Sequence, residues 1–324
     1  MSRRYPKLFI RSKNEFAKHI SHKKFSQGQA LALINDVLLH KDNYWKDSKR
    51  SEPQKDKYVR NAKGTPLGVL LSKINTMVLA PHDNLLPRFI FGGVKKSNHV
   101  MAAAHLLGET RKRTILKLDV TKFFEQITRQ RAYEFFIYKC LCDEKTSKIL
   151  STLCSVPRGP KNASTGGESI GRGFATSSRL AVWCNLDVFI KLERLVQKRL
   201  KGHDPRLAIY VDDIAVTASK ISKEDMQTLS VEIAELLLTG DLKQPLPLNA
   251  SKTKIALHSE GLEHLGLRLH RNKLAINTKT REKIRKINDT LRDETSQLER
   301  KNLKLKKSAL GHYQRFVERK GVSS

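Results

Sequence analysis

The chain has 324 residues and carries 62 Lys and Arg against 32 Asp and Glu, a formal charge of +30 at neutral pH. A surplus of that size points to a polyanionic partner, most often nucleic acid, and the length exceeds what the smallest basic nucleic-acid binders need. With 39% hydrophobic residues the chain can bury a core, expected in two or three subdomains, and no run approaches the roughly 18 apolar residues that span a bilayer.

No charged segment followed by an apolar stretch opens the sequence, so the expectation is a cytoplasmic protein without a membrane partner. Cys140, Cys142, Cys154 and Cys184 lack paired C-x-x-C spacing and read as core thiols rather than zinc ligands. The histidines form no H-E-x-x-H cluster.

Residues 1–60 mix basic residues with amphipathic patches, of which 30–39 reads as helix, and the polar stretch 41–57 reads as loop. Helical spacing returns over 67–79 until Pro81 and Pro87 break it. Gly92, Gly93, Lys95 and Lys96 then form a basic glycine turn, which either cradles phosphate or is an ordinary turn. Residues 114–119 have the alternation of a strand that ends on Asp119. A helix fits 128–141, a mobile Gly- and Pro-rich loop 157–167, and one long helix 176–200, where Leu180, Trp183, Leu186 and Ile190 recur at helical spacing.

A hairpin fits 207–218, followed by a helix over 223–239 that Ser222 opens with Asp225 three residues on, a capping pattern. Strands fit 253–257 and 264–269. The order from 114 onward is β, α, α, β-hairpin, α, β, β, which predicts an α+β layer of antiparallel sheet with helices on one face. Farther on, Ile284, Leu291, Leu298 and Leu305 recur every seven residues as a helical stripe, joined by Ile287. Residues 271–324 hold 16 Lys and Arg against 6 Asp and Glu, so this tail either follows a nucleic-acid backbone or is a solvated basic helix.

Asp212 and Asp213 stand between the two runs of the hairpin. Paired acids at a hairpin tip are poor core material and good metal ligands, although Asp is also common in turns. Asp119 ends a second strand, and in an antiparallel sheet such tips can be neighbours. Converging carboxylates raise each other's pKa unless cations neutralise them. Two Mg²⁺ ions about 3.5–4 Å apart would relieve that repulsion and supply phosphoryl-transfer chemistry.

Tyr210-Val-Asp-Asp213 resembles the Y-x-D-D palm motif of reverse transcriptases, and Leu118-Asp-Val-Thr-Lys-Phe-Phe-Glu-Gln-Ile127 resembles the first-aspartate motif of the bacterial members. In matching order, Ile170-Gly-Arg-Gly-Phe-Ala-Thr-Ser-Ser178 is similar to L-P-Q-G-x-x-x-S-P, Leu248-Asn-Ala-Ser-Lys-Thr-Lys254 to L-N-x-x-K-T, and His264-Leu-Gly-Leu267 to the primer-grip turn. The resemblance covers residues 88–270. Residues 91–105 resemble the segment before the palm in retron and defence-associated reverse transcriptases.

The resemblance implies an α+β right-hand polymerase fold: an N-terminal segment and fingers over 1–113, an antiparallel-sheet palm over 114–270 with a finger or loop insertion at 157–170, and a basic helical thumb over 271–324. It implies Asp119, Asp212 and Asp213 as the carboxylates of a site for Mg²⁺, with Mn²⁺ as the alternative. Lys252 would be the catalytic cation near the departing pyrophosphate, with Lys254 its competitor. Phe124 would stand at the steric gate against a ribose 2′-OH, or else be a core aromatic beside Phe123. Arg172 and Gly173 would meet nucleotide or template, Arg88, Lys95 and Lys96 are candidates for triphosphate contacts, and Leu265 with Gly266 would form the primer grip.

The implied activity is RNA-directed DNA polymerisation by two-metal nucleotidyl transfer, copying a dedicated non-coding RNA template in antiphage defence. dNTPs and a DNA product are the further partners, and an effector protein is left open. One alternative is a template-independent or protein-primed DNA polymerase of the abortive-infection type, with Tyr5, Tyr133 or Tyr313 as priming hydroxyl. The other is an inert RNA-binding scaffold. The sequence departs from the family pattern at Gly171-Arg172-Gly173, where Pro-Gln-Gly is usual, at Ser178 in place of proline, and at Met101 in place of asparagine. Glutamine to arginine exchanges a two-way amide for a cation that only donates. No fingers arginine is legible in 58–75.

Overall fold

The computed structural model describes residues 5–109, 112–257, 259–271, 273–294 and 296–321. Helices and antiparallel sheet are mixed along the chain, as an α+β protein requires. Two compact units interleave in sequence. The first comprises Met1–Lys96, Val120–Lys191 and Leu236–Pro247, and the second comprises Ser97–Asp119, Leu192–Glu235 and Leu248–Ser324.

The first unit opens with helices Lys13–His19 and Gln27–His40, whose free N–H groups are capped by the hydroxyls of Ser12 and Ser26. Gln29 returns the bond to the Ser26 backbone and closes a capping box. Phe16, Ala17, Ile34 and Val37 are buried beneath them. The helical spacing read over 67–79 resolves into an α-helix, Pro66–Lys73, that widens into a π turn over Ile74–Leu79. The helix expected at 128–141 likewise ends its α-turns at Glu134 and continues as a π turn, Phe135–Lys139.

The single helix expected over 176–200 is two helices, Ser177–Cys184 and Leu186–Arg199. Asn185 causes the break. Its side-chain amide donates to the Ala181 carbonyl at 3.0 Å and its Oδ1 accepts from Gln244 Nε2 at 3.3 Å, so a buried polar network replaces helix continuity. The Gly- and Pro-rich segment expected to be mobile is a tied hairpin loop. Strands Ser155–Pro157 and Glu168–Ile170 pair across it. Within it Arg158 and Gly167 bond at 3.1 Å, Thr165 and Arg158 at 3.0 Å, and the Lys161 amide donates to Asp47 at 2.9 Å. The four cysteines are free and buried, in keeping with core thiols.

The second unit is built on a four-stranded antiparallel sheet in the order Arg206–Tyr210, Asp213–Ser219, Arg113–Asp119, Lys254–Leu257. Burial along Asp213–Ser219 is continuous from Ile214 onward rather than alternating, so both faces are covered and not one as expected. Helix His99–His105, capped by Asn98, packs on the edge strand Arg206–Tyr210. The buried Arg113 guanidinium spans Asp204 and Thr217 and ties the far end of the central strand to the hairpin.

A three-stranded sheet follows, Leu262–His264, Leu267–His270 and Lys273–Ile276, and then helices Thr278–Asp293 and Gln297–Lys320. The seven-residue stripe does not run through as one seam. The backbone turns extended at Glu294, which resets the helical phase, and Leu298 and Leu305 are 70% and 62% exposed while Ile287 and Val317 are buried. Among the described residues no helix is long and apolar enough to cross a membrane.

Candidate functional site

The acids of the second unit meet because of strand register. Arg113–Asp119 is a central strand, and its pairing with Asp213–Ser219 makes Asp119 the direct partner of Asp213. Tyr210 pairs with Asp213, so only Val211 and Asp212 form the turn between the hairpin strands. A turn of two residues matches strand twist when its first residue has positive φ, normally a glycine. Val211 adopts φ 62° there, a conformation costing a β-branched residue about 1–3 kcal/mol, and its burial helps hold it. The strained turn sets Asp212 beside Asp213 at the sheet's end.

Burial raises the Asp213 carboxyl to about 6, and the Asp212 charge adds to the shift. Lys117, two residues before Asp119 on the central strand, opposes it with an ammonium 3.8 Å from Asp213. Asp119 pushes the value up and Lys252 pulls it down by smaller amounts.

Lys252 is placed by a short 3₁₀ turn, Ala250–Lys252, fastened to the central strand where the Asn249 amide donates to the Asp119 carbonyl at 2.8 Å. Its ammonium reaches both Asp119 carboxylate oxygens, at 3.0 and 3.1 Å. Lys254 lies in the strand opposite Lys117. The lysine over the acids is thus Lys252, on the Asp119 carboxylate. Its side chain is 59% exposed, so the pair is screened, contributes about 0–1 kcal/mol, and yields readily to another cation.

Carboxylate oxygens are the donors that Mg²⁺ and Mn²⁺ prefer, and crowding of like charge at Asp213 is the condition a divalent cation relieves. Asp119, Asp212 and Asp213 supply donors of that chemical kind. Among the described residues no group of three His, Cys, Asp or Glu side chains is placed so that it could hold a metal ion, and Lys117 and Lys252 carry the compensating charge.

The first unit holds a polar cavity of about 240 Å³, lined by Asp56, Tyr58, Arg60, Lys122, Glu125 and Arg172 among others. Arg172 grips Glu125 through two parallel bonds, Nε to Oε1 at 3.0 Å and Nη2 to Oε2 at 2.8 Å, and its guanidinium lies 5.0 Å from the centre of the Phe124 ring. Phe124 is buried, meets Phe123 edge-on and carries Arg172 on its face. The Arg172 carbonyl accepts the Arg60 amide at 2.6 Å. Gly173 allows that approach: its φ is 96°, and a Cβ there would lie 2.6 Å from the Arg60 carbonyl oxygen.

Arg88, Lys95 and Lys96 are exposed and do not line this cavity. The Lys95 amide donates to Asp83 at 2.7 Å, and Asp83 forms a buried two-point ion pair with Arg179. The basic glycine turn is thereby anchored on helix Ser177–Cys184, where Gly93 packs against the Arg179 backbone. Leu265 and Gly266, both at positive φ, are the two turn residues between Leu262–His264 and Leu267–His270. His264 just before them is buried with neither ring nitrogen hydrogen-bonded, and burial drives its pKa down to about 3.

Three residues of these sites escape a reading by motif. Lys117 shares a strand face with Asp119 by the period of two, a signal that alternation alone contains. Glu125 follows Phe124 directly, but its partner is 47 positions away. Arg60 lies inside the segment where no fingers arginine was legible. Its guanidinium is committed to Asp47 and to the carbonyls of Pro157 and Gly159, between the rings of Trp45 and Tyr58. No protein-family model matches the chain, and no curated protein matches it at a significant level.

Proposed function

We propose that this chain is an RNA-directed DNA polymerase that joins nucleotides by metal-assisted nucleotidyl transfer. The observation that carries the reading is the cross-strand pair Asp119–Asp213, completed by Asp212 on a strained turn and by Lys252 on the Asp119 carboxylate. The order of the sequence motifs around these residues supports it. In this reading the four-stranded sheet is the palm of a right-hand polymerase fold, the N-terminal segment supplies fingers, and helices Thr278–Asp293 and Gln297–Lys320 form a basic thumb along the template–product duplex.

Asp119, Asp212 and Asp213 would hold Mg²⁺ or Mn²⁺, which when bound would activate the primer hydroxyl and stabilise the departing oxygen. Lys252, freed from Asp119, offers its ammonium to the leaving pyrophosphate. Arg172, carried on the Phe124 ring, lines the cavity that would receive the dNTP, and Leu265 and Gly266 would shape the turn that steadies the primer. A dedicated non-coding RNA as template and a role in antiphage defence rest on the resemblance to retron and defence-associated enzymes, and a cytoplasmic location is proposed with them.

The test is incorporation of dNTPs on a primed RNA. Parent protein with Mg²⁺ should extend the primer, and Asp119→Asn or Asp212→Asn should abolish extension while RNA binding persists. Undiminished synthesis by either variant removes the metal site from the reading. RNA binding by the parent without incorporation would leave the inert scaffold instead.

Protein-primed synthesis is the second reading, favoured by Tyr313, whose hydroxyl lies 2.8 Å from His99 Nε2. An imidazole beside a tyrosine hydroxyl can take its proton, although burial raises the pKa of the Tyr313 hydroxyl and lowers that of the His99 imidazole. A product covalently attached to the protein, lost in Tyr313→Phe, would support it. A free product complementary to the RNA would exclude it.

A further inference from the structure

Among the described residues, two ion pairs have both partners on the cavity of the first unit, and one of these two is shielded. Lys122 and Asp56 are about half exposed, so water screens them. The Arg172 and Glu125 side chains are 16% and 21% exposed and meet in a two-point fork. Both ends of that fork are immobilised. Glu125 sits in the short helix Phe123–Gln126, pinned by Phe123, which is fully buried and stacked on Phe189. Arg172 is fixed by its carbonyl bond to Arg60 and by the Phe124 ring beneath it.

We propose that Glu125 is a positioning and specificity residue of the nucleotide pocket: by pairing with Arg172 it turns a mobile cation into a fixed N–H edge without net charge. This rests on reading the cavity as the dNTP pocket. Arginine has five N–H groups, and Glu125 takes two of them in one plane. The remaining edge is aimed by the fork and by the ring, so a ligand atom meets oriented donors whose ordering cost is already met.

Charge decides why the carboxylate is needed. Lys122 and Arg158 also line the cavity. An unpaired Arg172 would add to their attraction for any polyphosphate, and attraction that is the same for substrate and transition state lowers KM without raising kcat. Glu125 cancels that indiscriminate attraction and leaves Arg172 its geometry. Arg172 without Glu125 would grip phosphate, and Glu125 without Arg172 would repel it.

The test is a double-mutant cycle of Glu125→Gln, Arg172→Gln and both together, read by dNTP KM and kcat, by pyrophosphate inhibition, and by calorimetric binding of tripolyphosphate without catalysis. A charge-assisted bond of this class corresponds to about tenfold or more in an equilibrium constant. Glu125→Gln should tighten tripolyphosphate and pyrophosphate by about that factor and lower kcat, and Arg172→Gln should weaken tripolyphosphate and raise dNTP KM by about that factor. The double variant should return each constant to within about threefold of the parent, as coupled neighbours do. Thermal melting of each variant separates this from loss of fold.

Additive effects in the cycle, or a Glu125→Gln protein that melts lower yet binds tripolyphosphate as the parent does, would overturn the role of Glu125. The polymerase reading fails on a different result, a parent that binds tripolyphosphate with the expected coupling and incorporates no nucleotide.

Discussion

Asp119 and Asp213 are direct partners across two antiparallel strands, and each carries a lysine of its own, Lys252 at 3.0 Å and Lys117 at 3.8 Å. The carboxylates are thus charge-compensated one by one, with Asp212 added on the turn. Replacing those ammonium groups by a divalent cation is what the arrangement predicts, and the cost is small because Lys252 is largely exposed.

Protons and Mg²⁺ should compete at Asp213. Its folded pKa of about 6 lies above its ordinary value of 3.8, so its contribution to stability is fully present below 3.8 and lost as pH rises through about 6. Mg²⁺ should restore that loss, raising the melting temperature more at pH 7.5 than at pH 5. In Asp213→Asn the pH-dependent part of the Mg²⁺ effect should vanish. An identical Mg²⁺ shift at both pH values in the parent would contradict the assignment.

Lys252→Ala should slow incorporation by about tenfold to a hundredfold, the range for removing one group that stabilises developing charge. The same variant should need less Mg²⁺ for half-maximal rate, because a competing cation has left Asp119. Lys254→Ala should do neither, since its strand position pairs with Lys117 rather than with Asp119. Equal effects from the two variants would show that the crossing of Lys252 onto Asp119 has no bearing on the reaction.

His264 should make the protein acid-sensitive. Burial depresses its pKa from the ordinary 6.5 to about 3, so stability present above 6.5 is lost as pH falls towards 3. Asp213 works in the opposite sense between 6 and 3.8, and variants separate the two. Because neither ring nitrogen of His264 is hydrogen-bonded, His264→Leu removes a desolvation cost of about 1–3 kcal/mol. Urea unfolding at pH 7 and pH 5 should show His264→Leu at least as stable as the parent, with a smaller loss at pH 5.

Gly173→Ala should destabilise the first unit by about 1–3 kcal/mol, through a strained positive φ and a Cβ driven against the Arg60 carbonyl. The Arg172 carbonyl would lose its bond to Arg60, so dNTP KM should rise together with the fall in stability. Denaturant titration and steady-state kinetics on one preparation check both. Gly166→Ala, also at positive φ but with nothing near its Cβ, isolates the conformational part.

Much of this protein is legible in the linear chain. Runs of apolar and β-branched residues and the Ser222 cap mark the central strand, the hairpin and helix Lys223–Thr239, because those signals are local, although burial along the strands does not alternate. The acids at the strand ends and the basic tail follow from composition and period in the same way. Local signals fail where a distant residue competes for a backbone or charged group. Asn185 breaks a helix because Gln244 lies beside it, and the loop at 158–167 is held because Asp47 and Gly167 supply its partners.

The sequence by itself determined which residues can carry negative charge at a strand end and which segments alternate or turn. Only the tertiary structure decided that Asp119 pairs with Asp213, that Lys252 and not Lys254 lies on Asp119, and that Arg172 is held by Glu125. The physical reason is register and reach. A one-residue slip of the strands would turn every side chain to the other face, and ion pairs between residues 47 or 133 positions apart exist only once packing has closed the intervening chain.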